Sequence, residues 1–202
     1  MPSESLFDRM QEEWKRLPDA DLPPAESVAH GRPGRFALYG MLEEPLALLM
    51  QMHNSGLLNQ YGARFVNASW SVRDLVTHLA SWARELRDQV RTIAEGRGFD
   101  YAIPFALSVV GPNEWNHREL EKRKDGSAAD AVREYEMETR RLQDMLLELP
   151  EAALYSAAEF PMAPSGNPSA RWHGNVAMMV FAQSRHFVFH MNQIRLRLLR
   201  FK

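Results

Sequence analysis

From Ser169 to Arg200 the apolar positions follow a helical rhythm. Val176, Met179, Val180, Phe187, Ile194 and Leu198 recur at steps that keep them on one side of an α-helix, which predicts a long helix with a buried face across this stretch. Trp70 to Gly96 carries the same signal through Leu75, Leu79, Trp82, Leu86, Val90 and Ile93. Ser71, with Asp74 three residues on, marks where that helix starts, because the hydroxyl and the carboxylate can satisfy each other's free backbone N–H groups. Trp70 and Leu75 are spaced as an apolar clasp across the cap. Phe36 to Asn54 presents Leu38, Leu42, Leu46, Leu49 and His53 on one side. Pro45 within it predicts a kink or break near Glu44, since proline lacks an N–H and crowds the preceding turn. Ser127 and Asp130 repeat the cap pattern ahead of Ala131, Tyr135, Leu142, Met145, Leu146 and Leu149, and Pro150 stops that helix.

Between these lie shorter pieces. Ser5 to Leu17 is amphipathic through Leu6, Phe7, Met10, Trp14 and Leu17, and the proline-rich residues 18–35 read as a loop. Leu57 to Ser69 has room for one helical turn. A short helix near Pro112 or Asn113 carries Trp115 and Asn116, after a loop from Gly98 to Pro112. No stretch alternates as a strand should. The expected fold is therefore all-α: a four-helix bundle over residues 36–202, antiparallel or partly crossed, preceded by an N-terminal helical arm at residues 1–35. The arm's apolar stripe calls for a surface, either on the bundle or on a second subunit of a homodimer.

Composition narrows the range of functions. A chain of 202 residues with 45% apolar content sustains one packed domain. A net charge of -2 argues against a nucleic-acid partner, which needs a basic face. The charged N-terminus does not read as a signal peptide, and no apolar run approaches the roughly 20 residues that span a bilayer. The absence of cysteine fits a cytoplasmic location and rules out disulfides and thiolate zinc sites. Any thiol chemistry has to use a thiol brought in by a small molecule.

Two histidines, His186 and His190, stand four residues apart, one above the other on the same side of the last helix. His78 falls between Leu75 and Trp82 on the inward side of its own helix. Imidazoles so placed hold one metal ion between facing helices, or they are ordinary half-buried core histidines; spacing alone supports both. His53, His117 and His173 have no such spacing and read as surface or rim residues. Glu85 and Glu114 are the nearest carboxylates in sequence, and read as solvated. Trp82 and Trp115 read as core residues.

Three segments together resemble the DinB/YfiT-like superfamily of bacterial four-helix proteins: WSVRDLVTHLASWARE at 70–85, FDYAIPFALSVVGPNEWNHREL at 99–120, and HFVFHMNQIRLR at 186–197. The resemblance covers about Phe36 to Arg200. It implies that His78, His186 and His190 bind a divalent metal, with Zn or Ni the expected ions. It implies a thiol S-transferase or hydrolase acting on a small electrophile, as in maleylpyruvate isomerases that use mycothiol and in bacillithiol S-transferases, with a low-molecular-weight thiol as cosubstrate. A branch similar to the colibactin self-resistance protein implies instead a small-molecule hydrolase or sequestering protein, and a stress-response protein without turnover is a third reading. If the metal is present, its open position has to face a cavity. The expected mouth consists of Phe99, Tyr101, Phe105 and Trp115, with Asn113 and Asn116 supplying hydrogen bonds.

Overall fold

The computed structural model describes residues 33–67, 69–96, 114–156, 158–161 and 171–200, the two short strands by their backbone alone. In chain order the elements are α1 (Arg35–Asn54), α2 (Leu57–Tyr61), α3 (Val72–Ala94), α4 (residues 114–121), α5 (Ala128–Glu148), α6 (Glu151–Leu154), β1 (Ala158–Pro161), β2 (Arg171–Gly174) and α7 (Val176–Leu199). The four long helices close a ring in which α3 touches α5, α5 touches α1, α1 touches α7, and α7 touches α3. Leu38, Leu46, Leu75, Leu79, Tyr135, Leu142, Phe187 and Ile194 are fully excluded from solvent at its centre. The helix-period positions read from the sequence thus supply the core.

Ion pairs and hydrogen bonds fix the directions. Arg84 pairs with Glu134 at 3.3 Å and Arg87 with Glu138, so α3 and α5 run parallel. Arg35 donates to Leu147 O while Arg140 pairs with Glu43, so α1 runs antiparallel to α5. Arg197 near the end of α7 donates to Phe65 O, which lies before the start of α3, so α7 opposes α3. α4 falls between the parallel pair α3 and α5 in chain order. The Glu119 carboxylate on α4 is buried and ion-pairs with Arg84 at 2.6 Å and Arg123 at 2.8 Å, while Arg123 also holds Glu134 at 2.7 Å. This cluster fastens α4 across α3 and α5.

Both serine caps form as expected. Ser71 Oγ accepts from Asp74 N at 3.2 Å and Asp74 Oδ2 accepts from Ser71 N at 3.0 Å; Ser127 and Asp130 do the same for α5. α1 ends where Gly56 adopts the left-handed φ of 76°, which leads directly into α2.

Three expectations are corrected. α1 continues through Pro45 without a break. Proline removes one donor from the ladder, and the burial of Leu38, Leu42, Leu46 and Leu49 on both flanks holds the helix together. The last helix does not occupy the whole of Ser169 to Arg200. It starts at Val176, where Asn175 Oδ1 accepts from Met178 N at 2.9 Å. Residues 171–174 form instead an antiparallel ladder with 158–161, in the register Ala158↔Gly174 to Pro161↔Arg171. Residues 1–32 of the arm predicted at 1–35, and the loop at 98–112, lie outside the described residues.

Candidate metal centre

His78 sits in the second turn of α3, the helix whose start is fixed by the Ser71 cap. His186 and His190 occupy the shoulder of α7 beside the buried Phe187 and Met191. Opposed packing of α3 and α7 brings all three together. Their candidate ligand nitrogens lie within 4.8 Å of one another, and among the described residues no carboxylate joins them. His78 Nε2 faces His186 Nε2 at 3.1 Å. Two nitrogens bound to one tetrahedral metal at the usual length stand roughly 3.3 Å apart, so this separation suits a shared ion.

The other ring nitrogens set the tautomers. His186 Nδ1 lies 3.0 Å from Gln183 Oε1, and His190 Nδ1 lies 2.8 Å from Gln193 Oε1. An amide oxygen only accepts, so each Nδ1 carries the proton and each Nε2 presents its lone pair, as metal-ligating histidines require. His78 Nδ1 is buried with no hydrogen-bond partner. The three imidazoles form a donor set that fits a divalent metal ion.

Burial keeps these rings neutral. It pushes His78 well below its ordinary range, His186 and His190 add to the effect, and the Asn116 amide beside it acts the other way. His186 is lowered to about 3, first by burial and then by His190. His190 is lowered by burial, with Gln193 opposing. A histidine whose folded pKa is depressed favours the folded state when neutral, so its contribution is complete above the unfolded value of 6.5 and is lost as pH falls toward the folded value. Metal-free protein is thus expected to lose stability progressively from about pH 6.5 toward about pH 3. Denaturant melts across that range check this: His186→Ala should flatten the histidine part of the acid slope, and an unchanged slope refutes it.

Aromatic rings and amides surround the three histidines. Trp70, directly before the α3 cap, lies 4.7 Å from the His78 ring and stacks at 6.4 Å on His190. Trp82 stands edge-on to His186 at 6.0 Å and to Trp115 at 4.8 Å, and its Nε1 donates to Asn116 Oδ1 at 3.0 Å. Trp115 and Asn116 are buried, packed behind the histidines. His78 is buried as well, whereas His186 and His190 retain partial exposure. Tyr101 and Asn113, with Phe99 and Phe105, lie outside the described residues.

The expectation that Glu85 is solvated is corrected. Glu85 is buried, and Gln89 Nε2 donates to it at 3.0 Å. Its position on the apolar side of α3 overrides the usual preference of a carboxylate for water. Glu114 is exposed and pairs with Arg118 at 2.8 Å. His117 is exposed and His53 half-buried, both apart from the cluster. Sequence reasoning gave no role to Gln183, and gave Trp70 only a place in the cap of α3. The signal for Gln183 was its place three residues before His186, which mirrors that of Gln193 three residues after His190.

A family model described as the mycothiol maleylpyruvate isomerase N-terminal domain matches residues 60–181, more than half of the chain. The match includes His78 and ends before His186 and His190. No curated protein and no solved structure matches the chain.

Proposed function

The chain belongs to the mycothiol maleylpyruvate isomerase N-terminal domain family, within the superfamily its motifs resemble, and from that footing we propose that it is a metal-dependent enzyme that brings a small thiol to a small electrophile. The observation that carries this reading is the convergence of His78, His186 and His190 with the Nδ1 atoms of the last two tied to amide oxygens. Three neutral nitrogens from two opposed helices hold a divalent ion and leave positions open, which distinguishes a catalytic site from a closed structural one.

When bound there, such an ion lowers the pKa of a thiol presented to it, so that the thiol reacts as a thiolate near neutrality. The chain's own residues do the rest. Gln183 and Gln193 keep the two α7 rings in the tautomer that offers Nε2. Trp70 and Trp82 pack against the imidazoles and keep bulk water off the α3 side. The lack of any cysteine is consistent with a nucleophile supplied by the cosubstrate, and the family description points to mycothiol as the thiol to try first. The described rings and amides around the site suit an uncharged or aromatic electrophile.

The test uses cobalt-loaded protein, made without a histidine tag, titrated with mycothiol. A sulfur-to-metal charge-transfer band that appears on addition, and is absent from His190→Ala protein, is the expected result. Stoichiometric cobalt with no band at saturating mycothiol overturns the thiol reading.

A further inference from the structure

The last helix leaves an apolar strip uncovered. Phe189, Leu196 and Leu199 are 44%, 61% and 56% exposed. Their spacing of seven and three residues puts them on one stripe of α7, turned away from the helix's buried face. Asn192, and Arg185 four residues before Phe189, are exposed on the same stripe. Exposed Arg195 and Arg200 fall on either side of the stripe, and α7 contains no Asp or Glu.

We propose that this strip is the docking surface of the chain's own N-terminal arm, residues 5–17. As a helix, the arm has an apolar stripe in Leu6, Phe7, Met10, Trp14 and Leu17. From Leu6 to Leu17 such a stripe runs about 16 Å, and from Phe189 to Leu199 the strip runs about 15 Å. The reach is sufficient. The Tyr155 hydroxyl donates to Pro33 O at 2.9 Å, which anchors the start of the described chain at the end of the bundle where α7 begins. From there residues 18–32 extend up to about 50 Å, while the 24 residues of α7 are about 36 Å long. The area favours the arm over a second copy of the chain. Three partly exposed apolar side chains and one amide offer a few hundred Å², the footprint of one short helix, whereas a stable dimer buries roughly 800 Å² on each partner.

Hydrogen exchange on the full-length protein, with sedimentation on the same samples, tests this. In the wild type, amides 5–17 should be protected and the protein monomeric. Leu196→Glu, at a position too exposed to disturb the core, should speed exchange in residues 5–17 by roughly tenfold or more and leave α3 and α5 unchanged. Trp14→Glu should release the arm to the same degree. Free exchange of residues 5–17 in the wild type overturns the proposal, as does protection that survives Leu196→Glu. Protection that appears only with a concentration-dependent dimer overturns it in favour of a second copy.

Discussion

His78→Ala protein is expected to retain its helix content and lose stoichiometric binding of a divalent metal. His78 is the sole ligand candidate that α3 contributes among the described residues. Without it His186 and His190 remain as an i,i+4 pair on one helix, with no donor from the opposing side. Altering a group that only orients a metal ligand costs roughly 10–100-fold in affinity, and removal of a ligand itself should cost more. The helix is expected to survive because Leu75, Leu79, Leu86 and Val90 remain buried and the Ser71 cap is untouched. His190→Ala should behave in the same way. Gln193→Ala should keep the full stoichiometry and weaken affinity only within the orienting range, since it frees the His190 tautomer and removes no donor. Metal content of tag-free protein, read with circular dichroism, separates these cases. Wild-type content in either histidine variant would sink the three-histidine site.

Phe187→Ala should produce the largest loss of stability. Phe187 is fully buried and meets Tyr135 of α5 edge-on at 5.5 Å, so it joins α7 to the helix diagonally across the bundle. Truncation removes most of the ring's burial and leaves a cavity that rigid helices fill only in part, at a cost of about 3–5 kcal/mol. For a chain of this length each kcal/mol lowers Tm by about 2–4 °C, so a fall of about 6–20 °C is expected. Met137→Ala, at an exposed position of α5, should stay within about 0.5 kcal/mol. Thermal and denaturant melts of the two variants side by side provide the check. Equal, small effects would mean that α7 does not present Phe187 to the core.

The local parts of this protein were legible in its sequence. Helix cores, the two serine caps and the inward position of His78 follow from short-range rules, because a 3.6-residue period and an N-cap involve residues only a few positions apart. The i,i+4 pair of His186 and His190 is of the same kind, and three motifs sufficed to identify the superfamily. What the sequence by itself could not decide depends on partners far along the chain. Residues 171–174 form a strand because 158–161 lie beside them, and four residues are too few to show alternation. Pro45 is carried through α1 by packing on two neighbouring helices, which no local rule records. Glu85 is buried because helices distant in the chain pack against α3. The meeting of His78 with His186 across 108 positions is the same kind of fact. The sequence supplies the imidazoles and the faces they occupy, and only the opposed packing of α3 and α7 brings their nitrogens close enough to share an ion.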